Sequence, residues 1–182
     1  FREAEIILKS IKTSELPRDL LINYYQTYSS FWGHYSISVA NNLYGKQQAA
    51  YQDSLFALID HTSWDYRMSQ ASYYIWRDTL KSKEIYKELM EIEEVGTPNY
   101  AMITHSYSRL CHHQKKYDEE KKYLMLSAIA DTRNATRENA SLQSLALIAY
   151  DEQNLADAFK FTQSAIDDVI SSGIHFRAIE IY

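Results

Sequence analysis

The sequence predicts an all-α fold built from antiparallel pairs of helices. Three observations carry that expectation. Glycine and proline together supply 6 of the 182 residues, about 3% where average usage is about 12%. That is too few turn-formers for a sandwich, a barrel or a Gly-rich nucleotide-binding sheet. Strict alternation of apolar and polar residues never persists, so no strand is expected. Finally, the sparse stop signals cut the chain into helical runs that arrive two by two.

Residues 1–5 open directly in a charged, helix-favouring run with no signal peptide. No apolar stretch approaches the ~20 residues of a membrane span. A start without Met and an end in helical pattern are expected of an excised soluble piece of a longer protein. Ser14-Glu15-Leu16-Pro17 reads as a helix start, because a proline in the first turn lacks only an N–H that would be unpaired anyway. Residues 17–43 then read as one long helix kinked at Gly33, and 46–60 as its partner after Gly45. Asp60-His61-Thr62-Ser63 is a turn and cap cluster. Residues 63–76 and 81–95 form the next pair. Gly96-Thr97-Pro98 is the sharpest breaker, a terminating Gly followed by a capping Thr and a first-turn Pro. Residues 98–113 with 117–131, and 135–151 with 155–171, complete the pairs. Ser171-Ser172-Gly173 ends the last one, and 174–182 starts a further helix.

One spacing recurs in the second helix of each pair. Thr79, Tyr117 and Leu155 are 38 residues apart, as are Ser82, Glu120 and Ala158, then Ile85, Tyr123 and Phe161, then Leu89, Ser127 and Ala165. Small residues let two helices approach, and the aromatic fills the gap beside them. In Asn154-Leu155-x-x-Ala158-x-x-Phe161-x-x-x-Ala165 this is the tetratricopeptide pattern, lengthened by four from its usual 34 residues. Glu120 and Ser82 depart from the preferred Ala. Among the first helices, Leu142, Leu145, Ala146 and Ala149 make a clean buried stripe. Thr104, Tyr107, Ser108 and Cys111 are their equivalents, and Tyr66, Ser69, Gln70 and Tyr73 form a poorer stripe before them. The expected architecture is a tetratricopeptide-like right-handed superhelix in one domain over 1–182. It has a divergent repeat at 1–60 and repeats at about 63–95, 98–131 and 135–171.

Three segments carry a closer resemblance: Gly96-Thr97-Pro98-Asn99-Tyr100-Ala101, the run from Lys122-Tyr123-Leu124 to Asp131-Thr132-Arg133, and Glu138-Asn139-Ala140-Ser141-Leu142-Gln143-Ser144-Leu145-Ala146. Together they resemble the tetratricopeptide-repeat sensor region of membrane-anchored transcriptional regulators of Bacteroidetes. The resemblance covers most of 15–180 and is sharpest over 96–165. It implies a secretory signal before the array, and a transmembrane helix, a coiled coil and a cytoplasmic LuxR-like helix-turn-helix after it. It therefore implies a periplasmic position for this part of an inner-membrane parent. It brings no ligand motif to particular residues.

Net charge is −5, from 19 Lys+Arg against 24 Asp+Glu, which argues against nucleic-acid binding by this segment, since such domains show a basic face. The single Cys excludes a disulfide framework. Cys111-His112-His113, with His105 upstream, offers zinc-type ligands. Adjacent helical residues point about 100° apart, however, and nothing completes a tetrahedral set. Cys111 on the apolar stripe reads as a buried structural thiol. No Gly-x-Ser-x-Gly elbow, phosphate-binding glycine loop or HExxH occurs, so no catalytic residue, cofactor or metal is expected and the chain does not read as an enzyme. Glu93-Glu94 and Glu119-Glu120 read as solvated helix faces. Asn134-Ala135-Thr136 matches a glycosylation acceptor and reads better as a turn or cap. The 16 Tyr are an excess; Tyr24, Tyr28, Tyr73, Tyr117 and Tyr123 fall at helical spacings suited to packing.

The groove is the expected working surface. In such an array the first helix of each pair lines the concave face. The register of the last unit places Arg67 and Tyr74, then His105, Arg109 and His112, then Gln143, Tyr150 and Asp151 on it. Arg offers a bidentate fork for a carboxylate, and His and Tyr add directional contacts. The expected function is a non-catalytic sensor or interaction module that binds a peptide, a protein or a small ligand there. The alternative is a structural dimerisation module that associates with itself and takes no ligand.

Overall fold

The computed structural model describes residues 1–38, 44–136 and 140–172. Among these the regular structure is helical throughout, without a strand. It comprises α1 (Arg2–Ser10), a 3-10 turn (Thr13–Glu15), α2 (Arg18–Ser38), α3 (Tyr44–Phe56), α4 (Trp64–Tyr74), α5 (Thr79–Ile92), α6 (Pro98–His113), α7 (Tyr117–Arg133), α8 (Ala140–Asp151) and α9 (Leu155–Ser172). The all-α expectation holds. The expected helix over 174–182 and the end of the expected 17–43 run lie outside the described residues. One local expectation changes: Gly45 sits inside α3 rather than before it, while α2 spans Gly33 as one long helix, as expected. No described helix is long and apolar enough to cross a membrane.

The chain divides into two compact units, Phe1–Tyr66 and Arg67–Tyr182. In the first, α2 packs on α3. Two small residues one turn apart in α2 let α3 approach. Ser29 donates to Gln52 Oε1 at 3.0 Å, and a Cβ added at Gly33 would lie 2.8 Å from the Gln48 amide. The rest of the contact is aromatic. Tyr28 stacks on Tyr51 at 4.2 Å between centroids, and Trp32 on Tyr44 at 5.4 Å. Leu8 of α1 joins Tyr28, Phe31 and Trp32 in one buried cluster. Burial, with Tyr51 and Tyr24 nearby, pushes the Tyr28 phenol up to about 12.

In the second unit α6 packs on α7 and α8 on α9, with α5–α6 and α7–α8 contacts joining successive helices. Three-residue connections make α6–α7 and α8–α9 antiparallel. Thr97 caps α6 by accepting from the Tyr100 N–H, with Pro98 in the first turn. Asp78 and Asn154 cap α5 and α9 through Lys81 N–H and Asp157 N–H. Lys116, the residue at the same place before α7, makes no side-chain cap.

The helix ends explain how the chain manages with so little glycine. Lys115, Ala135 and Gln153 take left-handed φ of 58°, 52° and 61°. Each closes a Schellman pair, for instance Lys115 N–H to His112 O and Lys116 N–H to Cys111 O, both 2.9 Å. Gly96, in the connection between α5 and α6, also takes a positive φ of 91°. Asn134 caps α7 and also donates to Gly96 O at 2.6 Å.

Candidate functional site

α5, α7 and α9 begin at Thr79, Tyr117 and Leu155, 38 residues apart, and Leu89, Ser127 and Ala165 are all buried. In α6 the stripe Thr104, Tyr107, Ser108 and Cys111 is buried throughout, and so are Leu145, Ala146 and Ala149 of α8. α4 departs from this interval. The buried residues are Met68 and Ala71 of α4 and Ile75 just after it, not the expected Tyr66, Ser69, Gln70 and Tyr73. Met68, Ala71 and Ile75 match Thr104, Tyr107 and Cys111 at an interval of 36 rather than 38. The same shift makes Trp76, not Tyr74, the α4-side equivalent of His112.

This shift bears on the site. A solvent-open cavity of about 290 Å³ is lined by Trp76, His105, Ser108, Arg109, His112, Glu120, Leu124 and Ser144. Three of the residues expected on the concave face, His105, Arg109 and His112, meet there, one turn apart along α6. Sequence reasoning missed Trp76, Glu120, Leu124 and Ser144. Aligning on Ile75 as the counterpart of Cys111 would have found Trp76. The other expected residues lie elsewhere. Arg67 pairs with Glu88. Tyr74 accepts a hydrogen bond from Lys81 Nζ at 2.9 Å, with that ammonium 4.2 Å from its ring centre. Gln143, Tyr150 and Asp151 are on α8, whose contribution to the cavity wall is Ser144.

The polar part of the wall is largely pre-arranged. His112 Nδ1 lies 2.9 Å from Glu120 Oε2, so the carboxylate at the position where the repeat prefers Ala has a partner of its own. Trp76, 64% exposed, meets the His113 ring edge-on at 4.4 Å. His105 is held from behind. Its Nδ1 is 2.9 Å from Ser141 Oγ, and Ser141 donates to Ser127 Oγ at 2.9 Å. Ser141 has a single proton, given to Ser127, so it accepts from His105 and fixes the Nδ1–H tautomer. Ser127 in turn bonds the Asp131 carboxylate. Both serines are buried, and the chain of bonds ties α6, α8 and α7 together behind the cavity. Burial, reinforced by Asp168, pushes the Asp131 carboxyl up to about 6 despite the bond from Ser127.

Next to the cavity, Cys111 is 1% exposed and burial raises its thiol to about 11, which leaves it un-ionised and unreactive at neutral pH. His112 and His113 are exposed while Cys111 is not. Among the described residues, no group of three or more His, Cys, Asp or Glu side chains could hold a metal. Of the tyrosines expected to pack, Tyr28 is buried and Tyr24, Tyr73 and Tyr123 are half-buried, but Tyr117 is largely exposed.

Comparison with known families places this arrangement. A family model described as the SusR N-terminal TPR domain matches residues 1–182. The chain belongs to this family. No curated protein and no solved structure matched it. As a SusR-type N-terminal tetratricopeptide (TPR) domain it is a protein-interaction module by class, and domains of that class are in general non-catalytic.

Proposed function

We propose that this TPR domain is the periplasmic sensor module of a membrane-bound transcriptional regulator, and that its ligand, a peptide, a protein or a small molecule, seats in the cavity beside α6. The observation that carries the reading is the meeting of His105, Arg109 and His112 with Trp76 around one cavity. It joins donors, a guanidinium and a flat apolar wall, the mixture a specific small site uses. The resemblance of 96–165 to Bacteroidetes regulators supports the membrane-bound parent with a LuxR-like DNA-binding end. Repeats at about 63–95, 98–131 and 135–171, with a divergent one at 1–60, are the proposed units of the array. Ligand binding biases the parent only through a difference in affinity between two arrangements of the array.

A second reading, self-association without a ligand, has its own support. Leu155, Phe159 and Ile170 are all exposed along one face of α9. Light-scattering mass over a concentration series, with and without an extract of the native cells, separates the two. The sensor reading expects a constant mass alone and a change with extract, abolished in Arg109→Ala and His105→Ala proteins of unchanged helicity. Association without extract, or an extract response that survives both substitutions, overturns it.

A further inference from the structure

The charges of the second unit are unequally satisfied. Glu120 has His112, Arg67 has Glu88, and Lys121 has Glu152. Lys116 lies 3.9 Å from Glu119. Arg109 lines the cavity, yet no hydrogen bond or ion pair joins it to another described residue. The hydroxyls beside it donate inside their own helices, Ser108 to His105 O at 2.6 Å and Ser144 to Ala140 O at 3.2 Å, and neither is bonded to the guanidinium. The Arg109 guanidinium is a five-donor fork in the wall that makes no hydrogen bond to a described residue, with the Tyr86 phenol as its electrostatic neighbour. Trp76 and Leu124 give the same cavity an apolar side. Its volume, about 290 Å³, is at the small end for ligand sites, which run from about 300 Å³ upward. It suits one side chain with the acid group attached to it.

From this juxtaposition of an unpaired Arg109 with the Trp76 ring in one small cavity, we propose that the site takes a carboxylate carried on an apolar body, gripped end-on by the guanidinium. The inference rests on the cavity being the binding site and adds the chemistry of its occupant. A peptide C-terminus and a small free carboxylic acid present that same chemistry. A planar two-oxygen anion matches the Arg fork, whereas a neutral amide offers one acceptor and brings two N–H groups to a guanidinium that has nothing to accept with.

The test is a titration of the isotope-labelled whole chain, followed at the Trp76 indole N–H, which a Trp76→Phe protein assigns. The probes are N-acetylphenylalanine, its C-terminal amide, acetyl-Gly-Gly-Phe and 3-phenylpropionate. The acid is expected to bind about 10-fold more tightly than the amide. That preference should shrink with added salt and vanish in Arg109→Gln, with helicity unchanged. A stronger response to acetyl-Gly-Gly-Phe than to phenylpropionate assigns the peptide C-terminus, and the reverse assigns a small acid. Equal binding of acid and amide overturns the carboxylate inference while leaving the cavity as a binding site. A preference that survives in Arg109→Gln overturns the role of that residue. If no probe moves the Trp76 signal, the inference fails. An extract of native cells that still moves that signal then leaves the sensor reading standing, and a silent extract removes both.

Discussion

Tyr28 in residues 1–66 lies against Tyr24, Phe31, Trp32 and Tyr51. At the α6–α7 contact in residues 67–182, one buried cluster is Tyr100 with Ala101 and Ala130, beside a Tyr107–Tyr123 ring pair at 4.6 Å. The two units thus bring helices together differently, the first chiefly by filling the space between them with rings, the second by removing side chain so that backbones approach. Polar burial follows the same division. Of the buried serines and threonines among the described residues, Ser29 is in the first unit, whereas Ser82, Thr104, Ser108, Ser127 and Ser141 are in the second. Small polar residues fit where helices are close, and a neighbouring backbone carbonyl satisfies them, as Ala71 O does for Ser82 at 2.8 Å. The ring-filled unit should therefore be most sensitive to truncation and the small-residue unit to enlargement.

The sharpest test of that contrast is Tyr28→Ala. Tyr28 is 1% exposed and touches four rings, so its loss should cost about 3–5 kcal/mol, read by urea unfolding and by collapse of the near-ultraviolet circular dichroism. A cost under about 1 kcal/mol would mean the rings repack freely and that the first unit has no fixed core. In the second unit the matching test runs the other way. Ala101→Leu adds three carbons where α6 meets α7 and should cost about 1–3 kcal/mol. If Ala101→Leu is neutral, the close approach of those helices is not what the small residues serve.

The same contrast explains what could be read from the sequence. Small residues recur at fixed intervals, because each must sit where two backbones meet; Ser127 and Ala165 were therefore legible without a structure, and so were the starts of α7 and α9. A ring-filled interface has no such fixed positions, since a large side chain reaches its neighbours from several registers. This left the α2–α3 region without a detailed expectation. The α4 stripe was mis-registered by two residues because its first-helix equivalents carry rings, Tyr66 and Tyr73, where later units carry Thr104 and Cys111. That slip hid Trp76 from the candidate site and put Arg67 and Tyr74 in its place. His105, Arg109 and His112 were legible because α6 keeps the interval. The hydrogen-bond chain from His105 to Asp131 was not, since it joins three helices.

That chain belongs to the close-packed unit, and Asp131 reports on it. Its carboxyl is raised from 3.8 to about 6 in the folded protein. Folding is therefore favoured when the group is protonated, and that contribution is lost as pH rises from about 4 through about 6. Asp131→Asn should stabilise the protein at pH 7 by about 1 kcal/mol after allowing for solvent screening, have no stabilising effect at pH 3.5, and flatten the stability profile between. Thermal unfolding across pH reads this directly. A loss of stability at pH 7 would show that the Ser127 bond to a charged carboxylate outweighs its burial.

The smallest effect is at the turns that close the helix pairs of the second unit. Lys115 and Gln153 hold equivalent left-handed positions without being glycine, and a side chain there costs up to about 1 kcal/mol. The unfolded chain gains freedom when glycine replaces them, which offsets part of that gain. Lys115→Gly and Gln153→Gly should still each raise stability by about 0.5 kcal/mol, whereas Lys122→Gly within α7 should lower it by about 1 kcal/mol. The difference in sign separates a strained turn from an ordinary helical site. If all three substitutions destabilise alike, the left-handed turns are not where the close-packed unit carries strain. The scarcity of glycine would then reflect connections that tolerate side chains without penalty.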